Sequence, residues 1–322
     1  MIGIRTPFRI SFLGGGTDLP EFYRMSQGNV ISTSVDKYMY LFVNKFFDDR
    51  VQIKYSITEL VERIDDIQHP IVRELLKITN TKGVDINSIA DIPSGTGLGS
   101  SSSFSVGLIN ALSEFDGISL NNDQLAEKAS DLEINILKEP IGKQDQYAAA
   151  FGGLNFIKFN KDDSVDVSPI DISADSKSQL EKDMLVFYTE KTRKTSTILT
   201  TQRENILDYG DTFKRLEEMS TLCVEGKSLL ESGDIVSFEK LLHDSWTLKR
   251  TVASGISNND IDEIYDIGMK NGARGGKLLG AGGGGFILFF CDREAKQKIR
   301  KKLSHLREIN FKFEQTGSIR VL

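Results

Sequence analysis

A run of glycines and serines, PSGTGLGSSSS at residues 93–103, constrains this chain more than any other feature of its sequence. Gly95, Gly97 and Gly99 allow positive φ and a close approach of backbone amides to a ligand, because glycine has no Cβ. Apolar residues then recur at steps of three and four, which predicts a helix over residues 101–115 with one buried stripe. The start of such a helix favours an anion, so the pattern indicates a phosphate-binding loop rather than a flexible Gly/Ser linker.

This loop differs from two commoner nucleotide-binding motifs. A Walker loop needs Lys followed by Ser or Thr after its last glycine, whereas Gly99 is followed by Ser100. The dinucleotide fingerprint G-x-G-x-x-G fails in the loop because its third glycine position falls on Ser100. It fits by letter at Gly280, Gly282 and Gly285. The next residues, FILFF, predict a buried strand where the fingerprint requires a helix, so this match is spurious.

The order of strand-like and helix-like segments predicts an α+β protein of two domains, which the length of 322 residues allows. We expect a first domain over 1–165 and a second over 166–322, divided after an acidic loop. Alternating or β-branched segments predict strands at 9–13, 30–35, 38–46, 51–55, 184–188 and 286–290. Helical patterns occur at 19–25, 70–79, 101–115, 122–137, 195–205, 209–232, 235–252 and 259–271.

Composition argues against several classes of function. The formal net charge is −6 with both signs interspersed, so we expect no nucleic-acid partner. The N-terminus does not read as a signal peptide and no apolar run of 18 residues occurs, so we expect a cytoplasmic protein with no membrane partner. Cys223 and Cys291 fit buried thiols better than a disulfide. Three scattered histidines disfavour zinc, so any metal should be a hard ion on oxygen ligands.

Two further glycine-bearing segments accompany the loop: FRISFLGGGTD at residues 8–18 and LLGAGGGGF at residues 278–286. Three close backbone approaches in one chain suit a ligand-enclosing cleft between two domains. In this order and spacing, the three segments resemble the motifs of the GHMP kinases, the family of galactokinase, homoserine kinase, mevalonate kinase and phosphomevalonate kinase. The resemblance extends over essentially the whole chain.

The resemblance implies a fold and a reaction. The expected fold has an N-terminal domain like ribosomal protein S5 domain 2, a C-terminal ferredoxin-like domain and an active site between them. The expected reaction transfers the γ-phosphoryl group of ATP, with Mg²⁺, to a hydroxyl of a small molecule. The segments IGKQDQYAAAFGG at 141–153 and KTRKTSTIL at 191–199 resemble the heptose 7-phosphate kinases within this family.

Residues for the nucleotide and metal are carried over from the family's motifs. The resemblance places Mg²⁺ on Ser101 and Glu133, since Glu133 precedes the family's aspartate position by the family's interval. The alternative for Glu133 is one more solvated side chain on an acidic helix. The residues expected to bind ATP are Pro93, Gly95, Gly97, Leu98, Gly99, Ser100, Ser101 and Ser102.

The resemblance also implies two catalytic residues. Asp145 falls where galactokinases carry their catalytic aspartate, and a carboxylate there could accept the proton of the acceptor hydroxyl. The alternative is an Asp that caps a helix. Arg9 matches the arginine beside that aspartate, where a fixed cation would keep Asp145 ionised. Its alternative is a surface arginine on an edge strand.

For the substrate, the resemblance points to the first and third glycine segments and to a basic stretch. Asp18 matches the family's sugar-binding aspartate, whose carboxylate can accept from two adjacent hydroxyls. Where galactokinases carry Glu and His, this chain has Gly15 and Gly16, so galactose itself is a poor fit. A substrate phosphate would find Lys191 and Arg193 just before a helix, although a solvated charge run is an equal alternative. The remaining residues expected near the substrate are Thr17, Gly282 and Gly283.

We therefore predict an ATP-dependent kinase that phosphorylates the anomeric hydroxyl of D-glycero-D-manno-heptose 7-phosphate. The alternatives are a fucose-type or other sugar 1-kinase, an ATP-driven eliminase like diphosphomevalonate decarboxylase, and a non-catalytic sugar sensor. Retention of Arg9, Glu133 and Asp145 disfavours the sensor, because a sensor has no need of the charged groups. A homodimer is the candidate assembly.

Overall fold

A computed structural model describes residues 1–190 and 195–322, and its strands lie in two sheets. A nine-stranded sheet contains β1 (Ile2–Leu13), β2 (Gly28–Lys45), β3 (Val51–Lys54), β4 (Thr58–Val61), β5 (Val84–Ala90), β6 (Leu154–Phe159), β7 (Val165–Pro169), β12 (Phe313–Glu314) and β13 (Ile319–Arg320). A four-stranded sheet, in the order β11-β8-β10-β9, contains β8 (Met184–Tyr188), β9 (Gly275–Leu278), β10 (Phe286–Phe290) and β11 (Arg307–Glu308).

The helices pack against these sheets and against one another. They are α1 (Pro20–Tyr23), α2 (Pro70–Thr79), α3 (Ser100–Phe115), α4 (Asn122–Ser130), α5 (Gln144–Phe151), α6 (Ala174–Asp183), α7 (Thr195–Leu207), α8 (Asp211–Ser232), α9 (Ile235–Lys249), α10 (Asn259–Lys270) and α11 (Arg293–Lys302). A 3₁₀ turn covers Ile64–Asp66, and a π-helical segment, Asp131–Ile136, continues α4. The α+β class predicted from the sequence is confirmed.

The centre of the larger sheet is the antiparallel pair of β1 and β2, in register from Ile2 opposite Val43 to Leu13 opposite Ile31. Both strands are buried along most of their length because α3 and α5 cover one side and α8 packs against them as well. α3 was expected to bury one stripe, but its side chains are buried continuously from Ser102 to Leu112. It lies between the sheet and the neighbouring helices α4 and α5, so it has no solvated face there.

Most elements match the sequence patterns, and the differences have physical reasons. The helix 70–79 and the strand 184–188 are found with the predicted bounds. The strands predicted at 30–35 and 38–46 form one strand, β2. It pairs with β1 on both sides of residues 36 and 37, and a register shift between Pro7 and Phe8 accommodates these two residues. The helix predicted over 122–137 changes to π-helical geometry at Asp131.

The two halves of the chain are joined by their last strands. β12 pairs with β2 and β13 pairs with β1, so the C-terminal residues return to the larger sheet. β7 spans the expected boundary at residue 165 and pairs with β6. The division at residue 165 stays a prediction. Among the described residues, no helix is long and apolar enough to cross a membrane.

Candidate functional site

The glycine-serine loop opens onto a cavity of about 710 Å³, which we call the large cavity. The positive φ values expected of the loop are confirmed: 76° at Gly95, 87° at Gly97 and 75° at Gly99. α3 begins at Ser100 with Gly99 as its N-cap, so the first N–H groups of the helix point back toward the loop. The loop residues that line the cavity are Ser94, Gly95, Gly97, Gly99, Ser100, Ser101 and Ser102.

The third glycine segment packs directly on this loop. A Cβ on Gly97 would lie 2.4 Å from the carbonyl oxygen of Leu279, and one on Gly280 would lie 2.6 Å from the Cα of Gly97. A Cβ on Gly285 would lie 2.3 Å from the carbonyl oxygen of Thr96. These separations are shorter than van der Waals contact, so the loop and the third segment can meet only because both carry glycine.

Arg9 and Asp145 form a bidentate ion pair next to the glycine-serine loop. Arg9 Nε donates to Asp145 Oδ1 at 2.7 Å and Arg9 Nη2 to Asp145 Oδ2 at 2.6 Å, while Nη1 donates to the Gly97 carbonyl at 2.6 Å. Arg9 is 4% exposed, so it is not a surface arginine. α5 begins with Lys143 as its N-cap, so Asp145 does not cap the helix. Both side chains line the large cavity.

Glu133 is also buried at the wall of the large cavity, with 1% of its surface exposed. Its oxygens accept hydrogen bonds from Ser101 Oγ at 2.9 Å, Ser102 Oγ at 2.8 Å and Gln146 Nε2 at 2.5 Å. Burial raises the pKa of the carboxyl, and these three donors oppose that rise. Glu133 is therefore not a solvated side chain.

A second cavity of about 70 Å³, the small cavity, adjoins the large one, and the residues that line both are Arg9, Ile141, Asp145, Leu199, Gly280 and Ala281. Its other lining residues are Gly15, Gly16, Asp18, Leu19, Gly142, Gln144 and Lys249. The structure thus brings the first glycine segment, Asp145 and the third glycine segment to one place.

Asp18 is held rigidly in the small cavity, with 3% of its surface exposed. Its Oδ1 accepts from the Gly16 N–H at 2.9 Å and from Gln144 Nε2 at 3.2 Å, and its Oδ2 accepts from the Gln144 N–H at 3.2 Å. Burial and the nearby charge of Asp145 raise the pKa of Asp18. The aspartate faces the cavity as a preoriented hydrogen-bond acceptor.

Several polar residues of this region were missed by the sequence reasoning. Lys249, at the end of α9, is 6% exposed and donates from Nζ to Gln202 Oε1 at 3.1 Å. Lys277 is 7% exposed and donates from Nζ to the carbonyls of Ser11 at 2.8 Å and Phe12 at 3.0 Å. Burial lowers the pKa to about 8 for Lys249 and about 7 for Lys277.

One signal could have identified Lys249. Leu242, Trp246 and Lys249 follow one another at steps of four and three, so the lysine continues the apolar stripe of its helix. A lysine on a buried stripe is rare and marks a side chain with a buried partner or ligand. No comparable signal distinguishes Lys277 or Gln202 in the sequence.

Three aromatic rings contribute to the lining of the large cavity, which the sequence reasoning also missed. The rings of His69 and Phe104 stack with centroids 4.7 Å apart, and Tyr55 meets His69 edge-on at 4.8 Å. All three line the cavity. Burial lowers the pKa of His69, which favours the neutral imidazole. These rings can receive a flat, apolar group in the large cavity.

Some predicted site residues lie elsewhere. Thr17 is fully buried, and its hydroxyl lies within hydrogen-bond distance of the carbonyls of Gly14 and Asn29 and accepts from the Asn29 N–H, so the side chain holds the turn together. Leu98 is in the hydrophobic core. Gly282 and Gly283 pack against Ile256, and neither lines the two cavities.

Pro93 is not among the residues that line either cavity. Pro93 is exposed, and its carbonyl accepts from the Thr96 hydroxyl at 3.0 Å. Lys191 and Arg193 lie outside the described residues.

Comparison with known families gives two matches along the chain. Residues 59–153 match the N-terminal domain of the GHMP kinases, and residues 227–307 match the GHMP kinase C-terminal domain. The first match contains the glycine-serine loop, Glu133 and Asp145, and the second contains Lys249 and the third glycine segment.

Individual relatives extend the match over the whole chain. D-glycero-alpha-D-manno-heptose 7-phosphate kinase of Campylobacter jejuni is 31% identical over 99% of this chain and 99% of its own. L-fucokinase/L-fucose-1-P guanylyltransferase of Bacteroides fragilis is 25% identical over 93% of this chain, which spans 36% of that longer protein. Among solved structures, a D-glycero-D-manno-heptose 1-phosphate kinase from Bacteroides thetaiotaomicron superposes with a TM-score of 0.81 at 22% identity, covering 100% of this chain and 99% of its own. The expected two-domain architecture is therefore confirmed.

Proposed function

The chain belongs to the GHMP kinase family, and from that premise we propose that it transfers the γ-phosphoryl group of ATP to the anomeric hydroxyl of D-glycero-D-manno-heptose 7-phosphate. The product would be the 1,7-bisphosphate. The observation that carries the proposal is the Arg9–Asp145 pair, because both residues line the large and the small cavity. A donor in one cavity and an acceptor in the other would meet beside that carboxylate.

ATP fits the large cavity in two parts. The triphosphate would lie against the amides of residues 95–102, which the positive φ values and the start of α3 turn toward the cavity. The base would lie against the aromatic wall of Tyr55, His69 and Phe104. Pro93 and Leu98 would then support the ATP site without touching the nucleotide, because Pro93 does not line the large cavity and Leu98 is in the hydrophobic core.

Mg²⁺ fits the residues at the wall between the phosphates and α3. A buried carboxylate, Glu133, and a hydroxyl, Ser101, meet at 2.9 Å and both line the large cavity. Mg²⁺ prefers such oxygen ligands and completes its shell with water and phosphate oxygens. When bound there, the ion would neutralise charge on the phosphates.

The chain's own part in the transfer is to hold the reacting groups and to move one proton. The anomeric oxygen would form a bond to the γ-phosphorus while the bond to the bridging oxygen of ADP breaks, and the hydroxyl proton would pass to Asp145. Arg9 orients that carboxylate with two hydrogen bonds and uses a third on Gly97, so the base is fixed to the phosphate loop. Positioning and charge neutralisation supply most of the rate in such reactions.

The sugar would occupy the small cavity and extend beyond it. Asp18 is held by Gly16 and Gln144 as an acceptor for sugar hydroxyls. Gly15 leaves room for a sugar group, because an added Cβ there would meet nothing closer than 3.8 Å, whereas the space beside Gly16 is occupied by Gln202 and Lys249. The substrate phosphate would be bound by Lys191 and Arg193, and this part of the proposal comes from the sequence alone. A homodimer and a cytoplasmic location also remain predictions.

A substrate panel tests the proposal. The protein is incubated with ATP, Mg²⁺ and heptose 7-phosphate, heptose 1-phosphate, unphosphorylated heptose, fucose and galactose, and ADP release is followed. Phosphorus NMR then locates the new phosphate. We expect turnover with heptose 7-phosphate and a new signal from carbon 1.

Each other outcome identifies a competing function. Turnover with fucose or another free sugar would favour a sugar 1-kinase of the kind named by the fucokinase relative. Release of carbon dioxide from a diphosphomevalonate substrate would favour the eliminase. ATP binding without turnover of any sugar would favour a sensor and would overturn the proposal.

A further inference from the structure

Two buried polar side chains from the C-terminal half reach the first glycine turn. Lys249 is 6% exposed and lines the small cavity, and Gln202 is fully buried beside it. Lys249 Nζ donates to Gln202 Oε1 at 3.1 Å. That bond uses one of the three hydrogens of the ammonium. Within the part of the chain that the structure describes, the Gln202 Nε2 atom is buried without a hydrogen-bond partner.

The glycine turn makes room for these donors. A Cβ on Gly16 would lie 2.2 Å from Gln202 Nε2 and 3.0 Å from Lys249 Nζ. Gly16 also has a φ of 103°, which side-chain-bearing residues rarely adopt. The donors therefore occupy the volume that a side chain at position 16 would fill. The turn has no side chain at position 16, and Gln202 of α7 and Lys249 of α9 place hydrogen-bonding groups there instead.

The small cavity presents donors and acceptors together. Lys249 lines the cavity as a donor, with Gln202 buried next to it outside the lining, and Asp18 lines the same cavity with its carboxylate oxygens. Gln144 Oε1 is a further buried acceptor that has no partner among the described residues. An unpartnered buried polar atom is costly, so a ligand that pairs with it is favoured.

A mixed lining of this kind selects hydroxyl groups. A hydroxyl donates one hydrogen bond and accepts others, whereas an ionised phosphate only accepts. A phosphate placed in the small cavity would meet the carboxylates of Asp18 and Asp145 as well as the cations Arg9 and Lys249, so the lining gives it no net electrostatic attraction. The volume of the small cavity, about 70 Å³, is about a tenth of the 710 Å³ of the large cavity. The small cavity is thus suited to one edge of a sugar, with the substrate phosphate outside.

We infer that Lys249 is a specificity-determining residue, which donates a hydrogen bond to one hydroxyl oxygen on the sugar edge that Asp18 also contacts, and that Gln202 is the buried partner that positions its ammonium. The inference rests on the proposed sugar kinase function and adds to it which side chain reads the sugar. The discriminating group would be a ring hydroxyl rather than the reacting anomeric hydroxyl, because Asp145 and not Lys249 lies on the wall shared with the large cavity.

The test pairs variants with deoxy sugars. Lys249→Met and Gln202→Leu remove the donor and its buried partner with little change of volume, and Lys240→Met makes the same change as the first at an exposed position of α9 as a control. Values of kcat/KM are measured with the sugar that the wild-type protein turns over in the panel and with its monodeoxy analogues. The KM for ATP and the melting temperature are measured alongside.

We expect one deoxy analogue to lower the wild-type kcat/KM by about 10- to 100-fold, the range for losing a hydrogen bond to a charged group. Lys249→Met should lose about as much with the parent sugar and lose nothing further with that analogue. Gln202→Leu should show a smaller change of the same pattern. Lys240→Met should behave as the wild-type protein, and the KM for ATP should stay the same in all three.

The outcomes separate this inference from the proposed function. If the wild-type protein turns over a sugar and both variants discriminate among the deoxy analogues as it does, the inference is wrong and the kinase function stands. If Lys249→Met does not fold, Gln202→Leu decides by the same comparison. If the wild-type protein turns over no sugar, the proposed function fails and the inference fails with it.

Discussion

The large and the small cavity are built in different ways. The wall of the large cavity proposed to bind phosphate, which we call the phosphate wall, is one continuous stretch, residues 94–102. Its shape follows from its own glycines and from the helix that begins in it. The small cavity has no such stretch, because its walls come from the first turn, the start of α5, the end of α9 and the third glycine segment. A locally encoded site can be recognised from sequence, whereas an assembled one depends on the fold.

The Arg9–Asp145 pair belongs to both cavities and so gives the sharpest test of this division. Asp145→Asn should lower kcat by at least about a hundredfold, because proton acceptance by a positioned group contributes about 10²- to 10⁴-fold. Binding of a nonhydrolysable ATP analogue, measured by calorimetry, should be unchanged because the loop amides remain. Asp175→Asn, at the exposed first turn of α6, is the matched control. Near-normal turnover by Asp145→Asn would show that the carboxylate takes no part in the phosphoryl transfer.

The loop is local in sequence, but its contact with the third glycine segment is not. Gly97→Ala should lower the free energy of unfolding by about 3 kcal/mol, since backbone strain costs about 1–2 kcal/mol and overpacking about 1–3 kcal/mol. Gly95→Ala is the matched control, because Gly95 has a similar φ of 76° but nothing lies within 4 Å of an added Cβ. In urea titrations, Gly95→Ala should lower the free energy of unfolding by the contribution of backbone strain alone.

The two glycine variants could also contradict the comparison between the cavities. Equal destabilisation by Gly95→Ala and Gly97→Ala would mean that the third segment does not constrain the loop. The shape of the phosphate wall would then be wholly local.

Substitution of Glu133 tests whether Mg²⁺ binds at the wall of the large cavity. Glu133→Gln should weaken the apparent affinity for Mg²⁺, titrated with an ATP analogue, by at least about tenfold, as losing even an outer-shell partner of a metal costs 10- to 100-fold. Asp131→Asn changes an exposed carboxylate on the same π-helical segment and should leave the affinity unchanged. An unaltered Mg²⁺ titration with Glu133→Gln would leave the carboxylate a structural role on Ser101 and Ser102.

The smallest expected effect concerns Lys277, which joins β9 to β1 behind the small cavity. Burial, with the charges of Lys249 and Arg9, lowers its pKa from 10.5 to about 7. Between these values the unfolded chain binds more protons than the folded one, so the free energy of unfolding should rise with pH. It should be higher at about pH 9 than at about pH 7 in urea titrations.

The matching variant is Lys277→Met, which should flatten that rise and leave only the part due to Lys249, whose pKa is about 8. At the higher pH the variant should also be less stable than the wild-type protein, because the carbonyls of Ser11 and Phe12 lose their donor. Lys240→Met should keep the wild-type slope. The same slope in Lys277→Met would show that this lysine does not titrate in the window.

The sequence predicted the parts of the site that are governed by short-range rules. Positive φ at Gly95, Gly97 and Gly99 and a helix start at Ser100 follow from local backbone sterics. The pairing of Arg9 with Asp145 needed a family resemblance, because the two residues are 136 positions apart. Lys277 and Gln202 were missed since nothing in their neighbouring residues marks them as buried near a cavity.

By itself, then, the sequence determined the class of fold, the geometry of the glycine-serine loop and the family to which the chain belongs. Hydrophobic periodicity and glycine conformation act over a few residues and are legible there. Only the tertiary structure decided that Thr17 faces away from the cavity, that Gly280 rather than Gly282 meets the loop, and which lysine enters the small cavity. Those outcomes depend on how α9 and β9 pack against β1, and close packing between distant segments leaves no local pattern in the chain.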